Sequence, residues 1–276
     1  MALRHGGIRV RTEHSARLPP NGTPWWTVRG PGAEDVTMPR TPPQQQSRAL
    51  PKQAPADNLL GSDVTGSLPD AATVPGTAGI RPQDEAIWRL AAEHLRVRSN
   101  DAHTVYAYGL AAALCDLHPE ADRDVVLPAI LLHDTGWSRV PEAEVLEAIR
   151  PGSARTDLVV LHEKEGAVIA GQILGSLGHD PARTAEIVRI VDGHDSRPTS
   201  LSLEDSLVKD ADKLWRLTPH GVDTVMDWFG LTRAQAHALI GSRVHSHLFT
   251  DAARTMARAL AAVAGIDSAP QRLELG

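Results

Sequence analysis

From Pro82 onward apolar residues recur every three or four positions, the spacing of helices with one buried face. Ile87, Trp88, Leu90, Ala91 and Leu95 form the first such stripe, and Pro82 suits the first turn of its helix. Asn100 or Asp101 can cap a second helix running to about Leu117. A third spans about Arg123 to Asp134, a short one covers Glu142–Ile149, and a long one runs from Asp157 to Leu177. Asp180 with Pro181 opens another, which Gly193 stops near Asp192. Ser202 with Asp205 resembles a capping box for the helix ending at Leu217. Thr232 and Thr250 cap the last two, the final one Ala-rich. No stretch alternates as a strand, and no repeat of 20–50 residues is visible. The expectation is an all-α bundle of about eight or nine helices, occupying residues 81–276.

Residues 1–80 read differently. They hold eleven of the twenty prolines and few large aliphatics, and segments such as TPPQQQSRALPKQAP follow neither helical nor strand periodicity. Such a stretch cannot bury enough apolar surface to offset its ordering entropy, so a disordered Pro/Arg-rich tail is expected. Residues 1–56 carry eight Arg or Lys against three acidic residues, which makes this arm basic and the remainder acidic. Trp25 and Trp26 are its only aromatics and its only candidates for docking.

Composition narrows the function. Aromatics are 4% of 276 residues, so aliphatic side chains and Ala must fill the core. The single cysteine, Cys115, excludes an internal disulfide or a Cys-based zinc finger. A net charge of −6 argues against general nucleic-acid binding. No apolar run approaches the roughly 18 residues a membrane span needs. The N-terminus lacks an apolar signal core, so a cytoplasmic location is expected. Self-association is left open. Thirteen histidines remain to be explained.

Three His-Asp dipeptides occur: His133-Asp134, His179-Asp180 and His194-Asp195. His179-Asp180 precedes Pro181 and is read as a helix start. His133-Asp134 instead ends the apolar run AILL, so two strong ligands emerge at a buried helix end. His103, His162, His194 and Asp212 each fall on the apolar side of a predicted helix. An unpaired charge or imidazole there is costly. One such residue could be satisfied by a backbone carbonyl, but six groups on five helices are better satisfied together, by a shared metal. Nitrogen and carboxylate donors without thiolate suit Mn, Fe, Zn or Co, with Mg less favoured. His237, His245 and His247 do not share a helical face and read as surface or packing residues. His118 sits at a helix end, and Cys115, Trp215 and Trp228 read as core, with one Trp able to line a pocket.

The series His103, His133-Asp134, His162, His194, Asp212 resembles the HD-domain superfamily of metal-dependent phosphohydrolases. HTVYAYGL, AILLHDTGW and VKDADKLWR match its H…HD…D core over about residues 84–220. The extra histidines, in VVLHEKEGA and IVDGHDSRP, resemble members that hold two metals. The resemblance implies that His103, His133, Asp134 and Asp212 bind one ion. Asp134 would then bridge to a second, held by His162 and His194. Asp210 is the rival of Asp212, but ADKL resembles the family's ADRL, which favours Asp212. Two divalent ions are implied, Fe or Mn first, with Zn, Co and Mg as the other choices.

The departures narrow this further. No HHExxDGxGYP motif follows His162 or His194, which argues against cyclic-di-GMP hydrolysis. TGWSRV after Asp134 lacks both the ED pair of ppGpp hydrolases and the lysine of the HDxGK form. Lys213, Arg139 and Arg197 are the nearest cationic candidates for the leaving group, with Asp134 the catalytic carboxylate. There is no phosphate-binding glycine loop, so metal and cationic side chains must hold phosphate. The expected function is hydrolysis of a nucleotide or other small phosphate ester. The alternatives are a di-iron oxygenase, since myo-inositol oxygenase and the phosphonate-cleaving oxygenases share this ligand set, and a non-catalytic domain that retains the metals.

Overall fold

The computed structural model describes residues 65–70, 73–74 and 79–266. Among them there are ten α-helices and no strand. Most of the expected tail, including Trp25 and Trp26, lies outside the described residues. In chain order the helices are α1 (Glu85–Ala91), α2 (Asn100–Leu117), α3 (Arg123–Leu132), α4 (Glu142–Ile149) and α5 (Thr156–Ser176). Then follow α6 (Pro181–Val191), α7 (Leu203–Leu214), α8 (Pro219–Phe229), α9 (Arg233–Val244) and α10 (Asp251–Gly265).

Helix α3 is the axis of the bundle. Every residue from Val125 to Leu132 is buried, because α2, α6 and α7 pack around it and α1 and α5 close the gaps. A helix apolar on all sides can only sit inside a bundle. A separate apolar cluster, Trp137, Val140, Val145, Ala148, Leu158 and Val159, seats α4 on α5. None of the described helices is long and apolar enough to cross a membrane.

Local chemistry sets the helix boundaries. Asp122 accepts from Asp124 N–H at the start of α3, and Asp180 from Arg183 N–H at the start of α6. Ser202, Thr232 and Thr250 cap α7, α9 and α10 through their hydroxyls. Each such cap is worth about 1 kcal/mol. Three expectations are corrected. Helix α8 is additional; Thr218 caps it from Gly221 N–H, Pro219 opens it and Gly230 closes it at φ 62°. Helix α3 stops at Leu132, and the Thr135–Arg139 segment continues as a 3-10 turn. Neither Asn100 nor Asp101 caps α2, whose N-cap is Ser99 in the left-handed region without a side-chain bond.

One contact fixes the neighbourhood of the site. A methyl group at Gly136 would overlap the carbonyl oxygen of His162 and crowd Gly166 N. Only glycine lets the turn after Asp134 lie directly on the backbone of α5.

Candidate metal centre

Five segments converge on one buried point. His103 comes from the first turns of α2, His133 and Asp134 from the end of α3, His162 from the middle of α5, His194 from the loop after α6, and Asp212 from α7. Gly193, at φ 105°, turns the chain so that His194 faces inward. His133 is the C-cap of α3, so its ring and the Asp134 carboxylate leave the helix together.

The donors fall into two halves. In the first, His103 Nε2 lies 3.0 Å from His133 Nε2 and 3.5 Å from Asp212 Oδ1. In the second, His162 Nε2 lies 3.4 Å from His194 Nε2. Asp134 spans both: Oδ2 is 3.3 Å from His103 Nε2, and Oδ1 is 3.4 Å from His194 Nε2. Ligand atoms about 2.1 Å from one ion and at right angles to each other are about 3 Å apart, so these spacings suit shared coordination. Asp195, unassigned from sequence, joins the second half with Oδ2 3.8 Å from His194 Nε2.

Hydrogen bonds orient the rings. His133 Nδ1–H donates to the Ile130 carbonyl at 2.8 Å, and His194 Nδ1–H to the Val191 carbonyl at 2.9 Å. Each bond turns Nε2 toward the centre. Trp137 stacks on His162, and its indole N–H donates to Asp134 Oδ1. Buried Glu163 accepts from the N–H groups of Asp195 and Ser196 and from the Ser196 hydroxyl, which pins the loop carrying His194.

The charges agree with a cation site. Burial would raise the Asp134 carboxyl, but His133, His103 and His194 outweigh it and hold it well below the usual carboxylate range. Burial opposes ionisation of Asp212 as well, and Arg216, His133 and Lys213 overcome it. Burial, reinforced by His194, lowers His162 to about 3. Burial also disfavours charge on His194, yet Asp134, Asp195 and Glu163 raise it to about 10. A metal entering this half therefore displaces a proton. Two buried oxygens, Asp212 Oδ2 and Asp195 Oδ1, have no hydrogen-bond partner among the described residues; each is the second oxygen of a carboxylate whose other oxygen faces the histidines. The residues fit divalent metal ions.

The family model for the HD domain matches residues 100–217. That span takes in every donor of the centre, from His103 to Asp212. HD domains bind divalent metals, and the His/Asp groups above lie inside that span. The crystal structure of a predicted HD superfamily hydrolase from an uncultured Thermotogales bacterium is similar at 22% identity. The match covers 71% of this chain and 94% of that one, with a TM-score of 0.48. No curated protein matches this sequence.

A cleft opens onto the HD centre. His103, Asp134, Asp195 and Asp212 form its floor, Trp137, Trp215 and Trp228 its aromatic walls, and Arg98 and Arg216 bring positive charge. The cations expected from sequence are not among the residues lining it. Lys213 is buried behind Asp212, donating to the Lys209 carbonyl, with Nζ 3.9 Å from Asp212 Oδ2. Arg139 is exposed at the end of its turn. Arg197 bonds Asp205 and the carbonyls of Asp192 and Arg189, which makes it a tie between α6 and α7. Asp210 caps the α10 junction, accepting from Phe249 N–H, Thr250 N–H and the Thr250 hydroxyl; this leaves Asp212 as the inward carboxylate. His118 pairs with Glu120, and Cys115 is a buried core residue.

Sequence reasoning missed Asp195, Arg216 and Arg98. The third His-Asp dipeptide signalled Asp195, and the four-residue step from Asp212 signalled Arg216. Nothing in the sequence signals Arg98. It and Ser99 are the only non-glycine residues at positive φ among those described, at 51° and 59°. Each such residue costs roughly 1–2 kcal/mol.

Proposed function

We propose that this HD domain is a two-metal hydrolase of small phosphate esters, a phosphorylated metabolite or nucleotide being the substrate class. The observation that carries the reading is Asp134, whose two oxygens each reach one histidine pair at the floor of a cleft carrying guanidinium groups. His103, His133, Asp134 and Asp212 would hold one ion, and Asp134, His162, His194 and Asp195 the other. Bound ions would supply Lewis acidity toward phosphoryl oxygens and make water nucleophilic near neutral pH. Arg216, fixed by Asp212 and lying over Trp215, adds positive charge where negative charge accumulates. The Trp137, Trp215 and Trp228 walls exclude bulk water and so strengthen each of these interactions.

The test pairs metal analysis of the purified full chain with turnover of phosphate esters. Two ions per chain, esterase activity, and a fall toward one ion in His162→Ala and His194→Ala support the reading. Full metal retention in His133→Ala would sink it. A coupled mixed-valence iron signal without any esterase activity would transfer the site to oxygen chemistry, which the same ligands also serve.

A further inference from the structure

Arg98 is the least explained cation near the centre. It lines the cleft beside Asn100 and His103, on a backbone that glycine would adopt more readily. Its Nη2 donates to the Glu142 carbonyl at the start of α4, at 3.0 Å. Its Nε is buried with no hydrogen-bond partner among the described residues. No ion pair to it occurs among those residues either, and burial lowers its pKa from the ordinary arginine value, with the Glu142 carboxylate opposing that shift. A guanidinium kept partly buried, on strained backbone and with no carboxylate in direct contact, is poorly accounted for by folding alone.

We infer that Arg98 is the specificity residue for a terminal phosphate: it receives the non-bridging oxygen that the metal centre leaves over, and so selects monoesters against diesters. The inference rests on the hydrolase reading. A monoester phosphate carries three non-bridging oxygens and a diester two. If the two ions engage two of them, only a monoester has a third to offer, and it carries charge. The guanidinium N–H groups not used by Glu142 suit such an oxygen because they form charge-assisted bonds in a fixed plane. Arg98 also contacts the first residue of α4, whose Val145 and Ile149 line the cleft. An anion on Arg98 therefore lies beneath the α4 wall. The substrate class is a small phosphate monoester whose organic part faces Trp137, Val145 and Ile149.

Arg98→Gly tests this, because it removes the side chain while relieving the backbone. The metal-loaded full chain is titrated with inorganic phosphate by calorimetry, melted, and assayed on p-nitrophenyl phosphate and bis-p-nitrophenyl phosphate. The wild type should prefer the monoester. In Arg98→Gly, phosphate affinity and monoester kcat/KM should fall roughly 10- to 100-fold, with diester turnover, metal content and melting temperature nearly unchanged. Arg98→Lys should recover part of the affinity. Wild-type phosphate affinity in Arg98→Gly, or a melting loss of several degrees with ester preference intact, would overturn the inference and leave the hydrolase reading standing. Arg98-dependent phosphate binding by a wild type that cleaves neither ester would keep the anion site and end the hydrolase reading.

Discussion

Trp137 lies flat on His162, the ring centroids 3.9 Å apart and the planes 10° from parallel. The same indole donates its N–H to Asp134 Oδ1 at 3.1 Å. One side chain thus steadies a ligand of the second half and the carboxylate that links both halves.

Trp137→Phe keeps most of the stacking face and deletes the donor. It should weaken metal binding in the second half by roughly 10- to 100-fold, the usual effect of removing an outer partner of a ligand. Competition with a calibrated chelator would measure this, and unchanged affinity would show that the indole N–H is dispensable.

Asp210 and Asp212 are two residues apart and have opposite jobs. Asp210→Asn should destabilise the metal-free protein, because donors at Phe249 and Thr250 lose their acceptor at roughly 1–3 kcal/mol for each one orphaned. Its metal content should stay normal. Asp212→Asn should do the reverse, losing metal with a smaller change in the urea midpoint. Equal effects of the two changes on both readouts would refute this division.

Glu163 accepts three bonds from Asp195 and Ser196, so its carboxylate must offer only acceptors there. Glu163→Gln turns one position into a donor and should loosen the loop of His194. Occupancy should drop toward one ion while the His103–His133–Asp212 half stays filled. Elemental analysis across a metal titration would show a second binding step shifted to higher concentration.

Tyr108 predicts an alkaline limit. Its hydroxyl donates to Asp84 at 2.6 Å, and burial together with that bond raises its pKa from 10.0 to about 12. A folded pKa above the unfolded one means that this stabilisation is whole below pH 10 and is lost as pH climbs through 12. The urea midpoint should decline over that window, and Tyr108→Phe should decline less steeply. Parallel curves would assign the loss to other groups.

The inward histidines were legible because helical periodicity placed His103 and His162 on apolar faces, and an apolar face states what a side chain must meet. Asp180 was separable from Asp134 by its neighbours alone, since Pro181 marks a helix start. Helix α8 was missed although Thr218-Pro219 carries the same signature, because the preceding stripe runs through Trp215 and Leu217 without a visible break. The cationic candidates lie off the cleft for a different reason. Nearness in sequence put Lys213 and Arg197 beside the ligands, while the rotation of α7 turned one behind Asp212 and the bonds to Asp205 drew the other away. Arg98 depends on a backbone conformation that no residue type announces.

The crossing at Gly136 reaches beyond local packing. At Gly136 backbone rests on backbone, so no side chain separates that residue from the main chain at His162. The distance across the two halves is then set like a hinge without play. In the two-metal reading, the spacing of the two histidine groups is held by the main chain and not by the ligands. Widening it would take only one added methyl group.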